Sequence, residues 1–474
     1  MTKAGGRAGV LPKVAEASAV ALLCLCLIGL GFGPDLSGRP NVVLIIIDTL
    51  RADALGCYNR SVSGLSPEID LLARGGVQFT DVTSQSSWTR PSIGSMLTSR
   101  HPRSIGLYRQ RNDILDDRFV TLAEVLRRNG YETVGITANP NINSTFHFDQ
   151  GFSTYIDSAV VFDWMTPEPG QRVAGGDARL PGSREVLGTM LQRARRRKPS
   201  TPVYMQIDLM DVHEGWRLVR PEFRSDHRVQ GDASRGYWDA VRQVSYDVGR
   251  FVDELRSIPG WANTLFVLTS DHGQGLGDHP AVPDSWGHGL LLYESQVKVP
   301  LILYRPPAET TLLERWSGRR RPLRPARIET PVRLLDVTPT ILDDLGIAPP
   351  TQLDGRSLLP MTRGEHSRPD LPPFFVAETR FQGSHAIAVY SREWAYIENR
   401  VLREGVAERE LQPVGAAENG RLTDSLSSHP DVAREMKSYL ETWERLHREV
   451  GSTQPTRGPS TGEAEMLKSL GYLN

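Results

Sequence analysis

Cysteine is scarce in this chain, and neither sign of charge is in excess. The 474 residues include three cysteines, Cys24, Cys26 and Cys57, and the first two lie in an apolar N-terminal stretch. A disulfide framework and a cysteine-based zinc site are therefore excluded. The 55 Lys and Arg residues almost balance the 56 Asp and Glu residues. Because no overall field attracts the chain to nucleic acid, nucleic acid is not expected as a partner.

Residues 1–38 have the pattern of a targeting segment. Lys3, Arg7 and Lys13 precede an uncharged stretch, Ala17–Gly33, that is rich in alanine, leucine and isoleucine. This order is typical of a signal peptide or an N-terminal membrane anchor, and the stretch is intermediate in length between the two. We expect export, with the protein either anchored in the inner membrane and facing the periplasm or exterior, or periplasmic after cleavage. A buried N-terminal helix is the alternative.

From residue 41 onward, short β-branched runs alternate with amphipathic stretches. The continuous apolar run Val42–Ile47 suits a strand buried on both faces of a parallel sheet. Thr121–Glu124 is a capping box that opens a helix. Further strands are predicted at Thr133–Thr137, Pro202–Leu209, Leu265–Thr269 and Val299–Tyr304, and further helices at Ser66–Gly76, 241–255 and Asp336–Leu345. This alternation predicts an α/β fold, a doubly wound and mostly parallel sandwich.

The pattern changes near residue 370, which sets the predicted domain organisation. A small C-terminal α+β subdomain is indicated by candidate strands and a helix at Phe374–Glu378, Ala386–Tyr390, Trp394–Ile397 and Pro430 to about Val450. Pro306–Arg327, dense in proline and arginine, is expected to be a surface excursion between strands. We assign residues 1–38 to the targeting segment, 39–369 to a catalytic α/β domain, 370–450 to the subdomain and 451–474 to a connector with a short terminal helix.

Two carboxylates and an imidazole directly follow predicted strands. Asp48 comes after Val42–Ile47, and Asp271 and His272 come after the strand that ends near Ser270. Because ligands bind at the carboxyl edge of open α/β sheets, these side chains are expected to converge there. Such oxygen and nitrogen ligands hold Zn²⁺, Mn²⁺, Mg²⁺ or Ca²⁺. Taken singly, each residue has an alternative as a cap or part of a polar turn.

Thr89 is predicted to lie at the N-terminus of a helix. Pro91 suits the first helical position, and Ile93–Leu97 continues the helix. Free N–H groups and the positive end of the helix dipole would surround the Thr89 hydroxyl, as an anionic ester or an alkoxide requires. An ordinary threonine N-cap is the alternative.

In their joint order these segments resemble the sulfatase-like branch of the alkaline phosphatase superfamily over nearly the whole chain. The matching segments are Asn41–Asp53, Thr89–Ser92 with Leu97 and Thr98, Ser270–Gly273, His288–Glu294 with Val299–Ile302, Asp336–Leu342, Asp354–Leu358 and Glu410 with Leu411. Members of that branch bind one or two divalent ions at the sheet's carboxyl edge and attack phosphorus or sulfur with a metal-bound nucleophile. The resemblance implies that Asp48, Asp271 and His272 hold the metal, and that Thr89 is both nucleophile and metal ligand.

Departures from the family pattern bear on the substrate. A true sulfatase has Cys or Ser at the Thr89 position, oxidised to a formylglycine hydrate by an enzyme that reads Cys/Ser-x-Pro-x-Arg. Here Ile93 stands at the arginine position, and oxidation of a threonine would give a ketone. Relatives with a threonine nucleophile resemble nucleotide pyrophosphatases, phosphoethanolamine transferases and glycerol-phosphate polymer synthases, which act on phosphorus. Thr49 also replaces the second aspartate expected after the first strand, which argues against an oxygen-rich calcium site.

Four more polar residues are expected at the same edge. Asp211 and His213 follow one predicted strand, Asn139 follows another, and His288 lies in a Gly-His-Gly turn. The resemblance implies that His213 and His288 are catalytic groups near the ester or leaving group, and that Asp211 and Asn139 bind substrate. Asp211, His213 and His288 form either a substrate clamp or a second metal site. Asn139, which precedes Pro140, is also a typical turn former.

The residues and the resemblance together predict a metal-dependent hydrolase or transferase that acts on a phosphate-type ester. The candidate reactions are cleavage of a phosphodiester or phosphonate monoester and transfer of phosphoglycerol or phosphoethanolamine, and the motifs do not distinguish hydrolysis from transfer. The expected substrate is an ester of a small molecule, glycan or lipid headgroup. The alternatives are a sulfuric ester hydrolase and an inactive binder of an anionic glycan or lipid. Strand order and oligomeric state do not follow from the sequence.

Overall fold

The first strand, β1 (Asn41–Ile47), is buried along its whole length. Its side chains alternate between two apolar cores, with Val42 and Leu44 in one and Val43 and Ile45 in the other. A strand that is apolar at successive positions needs a covering layer on each face. The predicted strand is therefore confirmed, and its two cores organise the rest of the fold.

The computed structural model describes residues 39–108, 113–157, 180–197, 201–225, 233–306, 323–350, 353–364, 371–415, 425–451, 464 and 467. The predicted targeting segment and most of the predicted terminal connector and helix lie outside these residues. Among the residues that the structure describes, no helix combines the length and apolarity that a membrane crossing needs. From Arg39 onward the chain forms one compact unit.

β1 lies inside an eight-stranded sheet of order β11-β2-β10-β7-β1-β6-β4-β5. The other members are β2 (Val77–Phe79), β4 (Glu132–Thr137), β5 (Thr154–Ile156), β6 (Val203–Leu209), β7 (Thr264–Thr269), β10 (Leu301–Tyr304) and β11 (Ala326–Ile328). β1 pairs in parallel with both β6 and β7, whereas β10 runs antiparallel to both of its neighbours. Two small sheets join β3 (Val82–Thr83) to β12 (Val332–Arg333) and β8 (Gly275–Leu276) to β9 (Trp286–Gly287).

Helices cover both faces of the sheet, as the doubly wound prediction requires. They are α1 (Pro67–Gly75), α2 (Thr89–Thr98), α3 (Leu122–Arg128), α4 (Ser183–Arg196), α5 (Asp211–Glu214), α6 (Ala233–Ser257), α7 (Glu294–Val297), α8 (Val337–Asp344), α9 (Leu359–Thr362) and α10 (Pro430–Leu446). Apolar side chains of α1, α4 and α6 enter one core, and those of α2, α3 and α8 enter the other. The predicted capping box is present, since Thr121 and Glu124 bond reciprocally at the start of α3.

At the sheet edge, one predicted strand is present but shorter, and one predicted loop is in part a strand. The predicted strand Val299–Tyr304 begins later, at Leu301, and is antiparallel. The connection between β7 and β10 contains no long helix that covers the sheet. Two neighbouring strands can run parallel only when a long crossover connection of that type joins them. Within the predicted surface excursion Pro306–Arg327, residues 307–322 lie outside the described part. Ala326–Ile328 pairs with β2 as an edge strand instead of forming a loop.

The C-terminal region forms a four-stranded antiparallel sheet covered by α10. The strands are β13 (Phe375–Thr379), β14 (Ala386–Tyr390), β15 (Trp394–Asn399) and β16 (Arg409–Pro413). Met436, Leu440 and Trp443 of α10 pack on Ile387 and Val389 of β14. The predicted α+β subdomain is therefore present, although its fourth strand was missed, and the boundaries at 369 and 450 stay a prediction.

A buried ion pair links this subdomain to the α/β part of the chain. Nε and Nη2 of Arg103, which follows α2, each donate to a Glu378 carboxylate oxygen at 2.8 Å. The two side chains are 4% and 1% exposed. Burial alone would raise the pKa of Glu378, but the hydrogen bonds from Arg103 and His385 lower it to about 2.

Glu378→Gln is expected to destabilise the protein by about 3–5 kcal/mol, because Arg103 would stay buried without its bidentate partner. The folded pKa of Glu378 is depressed, so its contribution is complete above the unfolded pKa near 4.5 and is lost as pH falls toward 2. Urea unfolding at several pH values should show this acid-dependent loss in the wild type and not in Glu378→Gln. Glu444→Gln is the control, since Glu444 contacts Arg103 but is 26% exposed. Equal stability of Glu378→Gln and wild type would contradict this account.

Candidate active site

β1 ends in a strained turn that carries Asp48. Asp48 is 1% exposed, and the next residue, Thr49, has φ of 59°. A β-branched residue in the left-handed region costs of order 1–3 kcal/mol. The Thr49 N–H donates to Asp271 Oδ1 at 3.3 Å, and the Tyr237 hydroxyl donates to the Thr49 carbonyl at 2.9 Å. These bonds stabilise the turn and hold Asp48 beside Asp271.

β7 lies next to β1 and brings Asp271 and His272 to the same edge, where both are fully buried. His272 Nδ1 lies 2.9 Å from the Gly273 carbonyl oxygen, so this nitrogen carries the proton and Nε2 offers a lone pair. Nε2 is 3.3 Å from Asp271 Oδ2 and 3.8 Å from Asp48 Oδ1. The three predicted metal ligands therefore converge.

Thr89 is the first residue of α2 and faces these ligands. Its Oγ1 lies 3.4 Å from Asp48 Oδ2 and 3.3 Å from His272 Nε2. The N-cap of α2 is Trp88, so an ordinary threonine N-cap is excluded and the helix begins before Pro91. The predicted nucleophile thus lies at a buried helix N-terminus beside the ligand cluster.

Asn139 makes the turn-forming contact and also bonds to the predicted active-site residues, while its substrate-binding role stays a prediction. Its Oδ1 accepts a hydrogen bond from the Asn141 N–H at 2.8 Å, which is the turn-forming contact. Its Nδ2 donates to Asp48 Oδ2 at 2.5 Å and to Thr89 Oγ1 at 3.3 Å. Asn139 therefore orients both a predicted metal ligand and the predicted nucleophile.

The cluster fits a divalent cation. One donor atom from each of Asp48, Asp271 and His272 lies within 4.8 Å of the others. Asp48 Oδ1 and Asp271 Oδ2 are buried without a hydrogen-bond partner, which is costly unless a cation or a proton satisfies them. Burial and the charge of Asp48 raise the pKa of Asp271 to about 6. A mixed oxygen and nitrogen set suits Zn²⁺ or Mn²⁺ better than Ca²⁺ or Mg²⁺, which favour oxygen-only shells.

Three imidazoles form a row that begins at the cluster. The ring centroid of His288 lies 4.7 Å from that of His272 and 5.0 Å from that of His213. Burial and the two neighbouring histidines lower the pKa of His288 well below its usual value, so His288 is neutral. The structure therefore brings both predicted catalytic histidines to the metal ligands.

His213 and His288 each have a polar partner that was not predicted from the sequence. Glu214 Oε1 lies 3.0 Å from His213 Nδ1, and Gln274 Oε1 lies 3.0 Å from His288 Nδ1. Burial alone would lower the pKa of His213, but the hydrogen bond to Glu214 and nearby carboxylate charges raise it overall. An acidic residue directly after a candidate histidine was the signal for Glu214. The pKa values of the two histidines are thus shifted in opposite directions.

Asp211 does not join this row, which corrects its predicted role. Its carboxylate accepts hydrogen bonds from Ser183 Oγ at 2.9 Å, the Ser183 N–H at 2.8 Å and Gln243 Nε2 at 2.6 Å. These partners belong to α4 and α6, so Asp211 ties the two helices to α5. Because its oxygens are engaged there, Asp211 is neither a substrate contact nor part of a second metal site with His213 and His288.

Asp208, inside β6, is a buried carboxyl group that the sequence analysis missed. Burial and the charges of Asp271 and Asp48 raise its pKa well above the usual value. Asp208 therefore holds a proton to higher pH than an exposed aspartate does, which reduces the negative charge beneath the cluster. An acidic residue in an otherwise apolar predicted strand was the available signal.

The C-terminal sheet holds the segment that carries His288. Ser384 Oγ donates to the Leu290 carbonyl at 2.6 Å. Gly289 has φ of 87°, and a Cβ there would lie 2.6 Å from a ring atom of Phe381. Only glycine accommodates both the backbone conformation and this close approach. The subdomain therefore positions a histidine of the site.

A mostly parallel sheet with this ligand cluster at its carboxyl edge and a hydroxyl group beside it defines a hydrolase of the sulfatase and alkaline phosphatase superfamily. Residues 40–347 match the family described as "Sulfatase", and the chain belongs to that family. A sulfatase of Formosa agariphila is 23% identical over 423 residues, which cover 74% of this chain and 77% of that protein.

Solved structures share the fold at low sequence identity. A 2-O GAG sulfatase has a TM-score of 0.65 and 18% identity, covering 86% of this chain and 92% of its own. The phosphonate monoester hydrolase of Agrobacterium radiobacter has a TM-score of 0.65 and 19% identity, covering 86% and 96%. Because the two TM-scores are equal, the fold does not select between sulfur and phosphorus chemistry.

Asp271→Asn is expected to weaken Mn²⁺ binding at least tenfold, because it removes one anionic ligand while keeping the side-chain shape. Added Mn²⁺ should then raise the melting temperature of the wild type and not that of the variant. Metal analysis after buffer exchange, together with thermal unfolding, measures both effects. Asp239→Asn is the matched control, since Asp239 is also buried but bonds to Ser225. Absence of bound metal in wild type and variant alike would favour the inactive-binder alternative.

Proposed function

We propose that this chain is a metal-dependent hydrolase or transferase of phosphate-type esters, with Thr89 as its nucleophile. The observation that carries the proposal is the position of Thr89 Oγ1, 3.3 Å from His272 Nε2 and 3.4 Å from Asp48 Oδ2. The group placed for attack is therefore an alcohol with a single hydroxyl, not an oxidisable cysteine or serine.

The single hydroxyl of Thr89 favours phosphorus over sulfur. A formylglycine hydrate carries two hydroxyls on one carbon, so one can form the ester and the other can expel the product. Thr89 has no second oxygen, and its ester intermediate must be opened by attack at the central atom. In-line attack on phosphorus meets this requirement. The shared fold of a phosphonate monoester hydrolase supports the same chemistry for this scaffold.

In the first step Thr89 Oγ1 forms a bond to phosphorus as the bond to the leaving oxygen breaks. Asp48, Asp271 and His272 would hold a divalent cation, which when bound lowers the pKa of the Thr89 hydroxyl and offsets negative charge on the ester. Asn139 Nδ2, 3.3 Å from Thr89 Oγ1, orients the nucleophile. His213, whose pKa is raised, donates a proton to the leaving oxygen. Thr89 attacks as an alkoxide, its hydroxyl proton having passed to solvent, and with a phosphodiester substrate the products are a phosphothreonine diester and an alcohol.

In the second step an oxygen nucleophile attacks phosphorus, and the bond from phosphorus to Thr89 Oγ1 breaks, which returns Thr89 as the alkoxide that began the first step. Water as the attacking group gives a hydrolase, and a second alcohol gives a transferase. His213, having lost its proton in the first step, accepts one from the attacking oxygen.

We further propose that the enzyme acts outside the cytoplasm on an ester of a small molecule, glycan or lipid headgroup. The support is the order of basic and then apolar residues in 1–38, which is typical of export or anchoring. The 2-O GAG sulfatase with the same fold supports a glycan among these substrates.

Sulfuric ester hydrolysis is the alternative, and the description of the Formosa relative favours it. The two chemistries separate with substrates that share the 4-nitrophenol leaving group. Purified protein with Mn²⁺ or Zn²⁺ is expected to cleave the phosphodiester or phosphonate monoester at least ten times faster than the sulfate. Sulfate turnover well above phosphoester turnover would refute the phosphate proposal.

Thr89→Ala should lower this turnover by at least about 10³-fold, because it removes the nucleophile. Thr98→Ala is the matched control on the same helix, since Thr98 bonds only to the Gly94 carbonyl among the described contacts. An acid quench followed by peptide mapping should find phosphate on Thr89. Full activity of Thr89→Ala would exclude the covalent step.

Glu214→Gln is expected to shift the alkaline limb of the pH profile of kcat/KM to lower pH, by roughly one pH unit. The pKa of His213 is raised in the folded protein, and the protonated imidazole is lost as pH rises through that pKa. Because the substitution removes the charge of Glu214, it lowers the pKa of His213 and moves this loss to lower pH. His213→Asn should slow esters with poor leaving groups more than 4-nitrophenyl esters, because proton donation matters most for basic leaving groups. Glu222→Gln, a change at an exposed carboxylate, is the control. An unchanged alkaline limb in Glu214→Gln would contradict the assignment of His213.

A further inference from the structure

A second cluster of ligand-type side chains lies beyond the other end of α2. His101 follows α2, Asp354 precedes α9, and His447 is the C-cap of α10. One donor atom from each lies within 4.8 Å of the others. The ten residues of α2 separate this cluster from Thr89 by roughly 15 Å along the helix. It is therefore distinct from the active site.

His101 gives independent evidence for a ligand. Its side chain is buried at 4% exposure, and Nδ1 has no hydrogen-bond partner. Its backbone N–H donates to Asp354 Oδ2 at 3.0 Å, which fixes that carboxylate next to the residue. An unsatisfied buried nitrogen costs on the order of 1–3 kcal/mol, and a metal ion bound to it would remove this cost.

His447 is held against His101 and Asp354. Its Nδ1 lies 3.9 Å from Asp354 Oδ2, and its ring centroid lies 4.6 Å from that of His101. Beyond the helix, the Val450 N–H donates to the Arg103 carbonyl at 3.0 Å. The chain on both sides of His447 is therefore anchored, so the imidazole does not depend on a metal for its position.

Two arginines near the cluster, Arg103 and Arg333, have their charges offset by carboxylates. Arg103 bonds to Glu378 at 2.8 Å and to Glu444 at 3.2 Å. Arg333 bonds to Asp336 at 2.8 Å. Because these cations are paired, they oppose the binding of a metal ion less than free cations would.

Trp443 supplies a spectroscopic reporter for the cluster. Its ring centroid lies 5.0 Å from that of His101 and 5.0 Å from that of His447. Its Nε1–H donates to His101 Nε2 over a long 3.4 Å. A metal on His101 Nδ1 requires the ring proton on Nε2, so binding would end this bond and change the surroundings of the indole.

We propose that His101, Asp354 and His447 bind a Zn²⁺ ion that joins the C-terminal helix α10 to the end of α2. Two imidazoles and a carboxylate are a ligand set that zinc accepts, with a further position for water. The ion stabilises the contact between the subdomain and the helix that carries Thr89. This site takes no part in the ester chemistry.

The test is a calorimetric Zn²⁺ titration of the full chain that carries Asp271→Asn. This variant is the parent of the further variants, because the substitution is expected to weaken Zn²⁺ binding at the active-site cluster. The parent is expected to bind one Zn²⁺ at this cluster, and adding His447→Gln should lower the affinity at least tenfold. His429→Gln, an exposed histidine at the other end of α10, is the matched control and should bind like the parent. Equal Zn²⁺ binding by His447→Gln and the parent would overturn the proposal.

Two further measurements guard against a merely misfolded variant. Zn²⁺ should raise the melting temperature of the parent and change its tryptophan fluorescence, and Trp443→Phe should abolish the fluorescence change. Asp354→Asn keeps an acceptor for the His101 N–H but loses the anionic ligand, so it should fold and bind Zn²⁺ weakly. A parent that shows neither effect with Zn²⁺ would also overturn the proposal, whatever the outcome of the ester assays.

Discussion

The repulsion between Asp48 and Asp271 is the constraint on which the site depends. The two carboxylates end adjacent parallel strands, are buried, and each keeps one oxygen without a partner. Burial of like charges is costly, and a divalent cation is the simplest way to offset it. The surrounding structure fits that need. The strained turn at Thr49 holds the carboxylates together, and the Gly273 carbonyl turns the lone pair of His272 toward them.

Charge is graded along the row of imidazoles that leaves this cluster. His272 offers a lone pair, His288 is kept neutral by burial and its neighbours, and His213 is favoured as a cation by Glu214. A predicted metal ligand, His272, and a proposed proton donor, His213, are therefore separated by a single imidazole ring, that of His288. The C-terminal sheet belongs to this arrangement, since it holds the His288 segment in place. The subdomain is thus part of the site and not an appendage to it.

Much of the fold and of the core site could be predicted because both depend on local patterns. An apolar run followed by Asp48, and another followed by Asp271 and His272, placed three ligands at one sheet edge. The direction of β10, the edge strand β11 and the fourth subdomain strand β16 were missed. β10 and β11 pair with β2, which is distant in the chain, whereas β16 pairs with the preceding strand, β15. Short strands of this kind carry little periodicity of their own.

The sequence by itself determined which residues end the central strands and that a threonine stands at the predicted nucleophile position. Both follow from residue type and from position after an apolar run, which are local properties. Only the tertiary structure decided which partners the side chains around these positions contact. Asp211 and His213 lie two residues apart, yet Asp211 bonds to Ser183 and Gln243, whereas His213 makes an edge contact with the ring of His288. Their partners come from distant parts of the chain, so the difference arises only when folding brings those parts together.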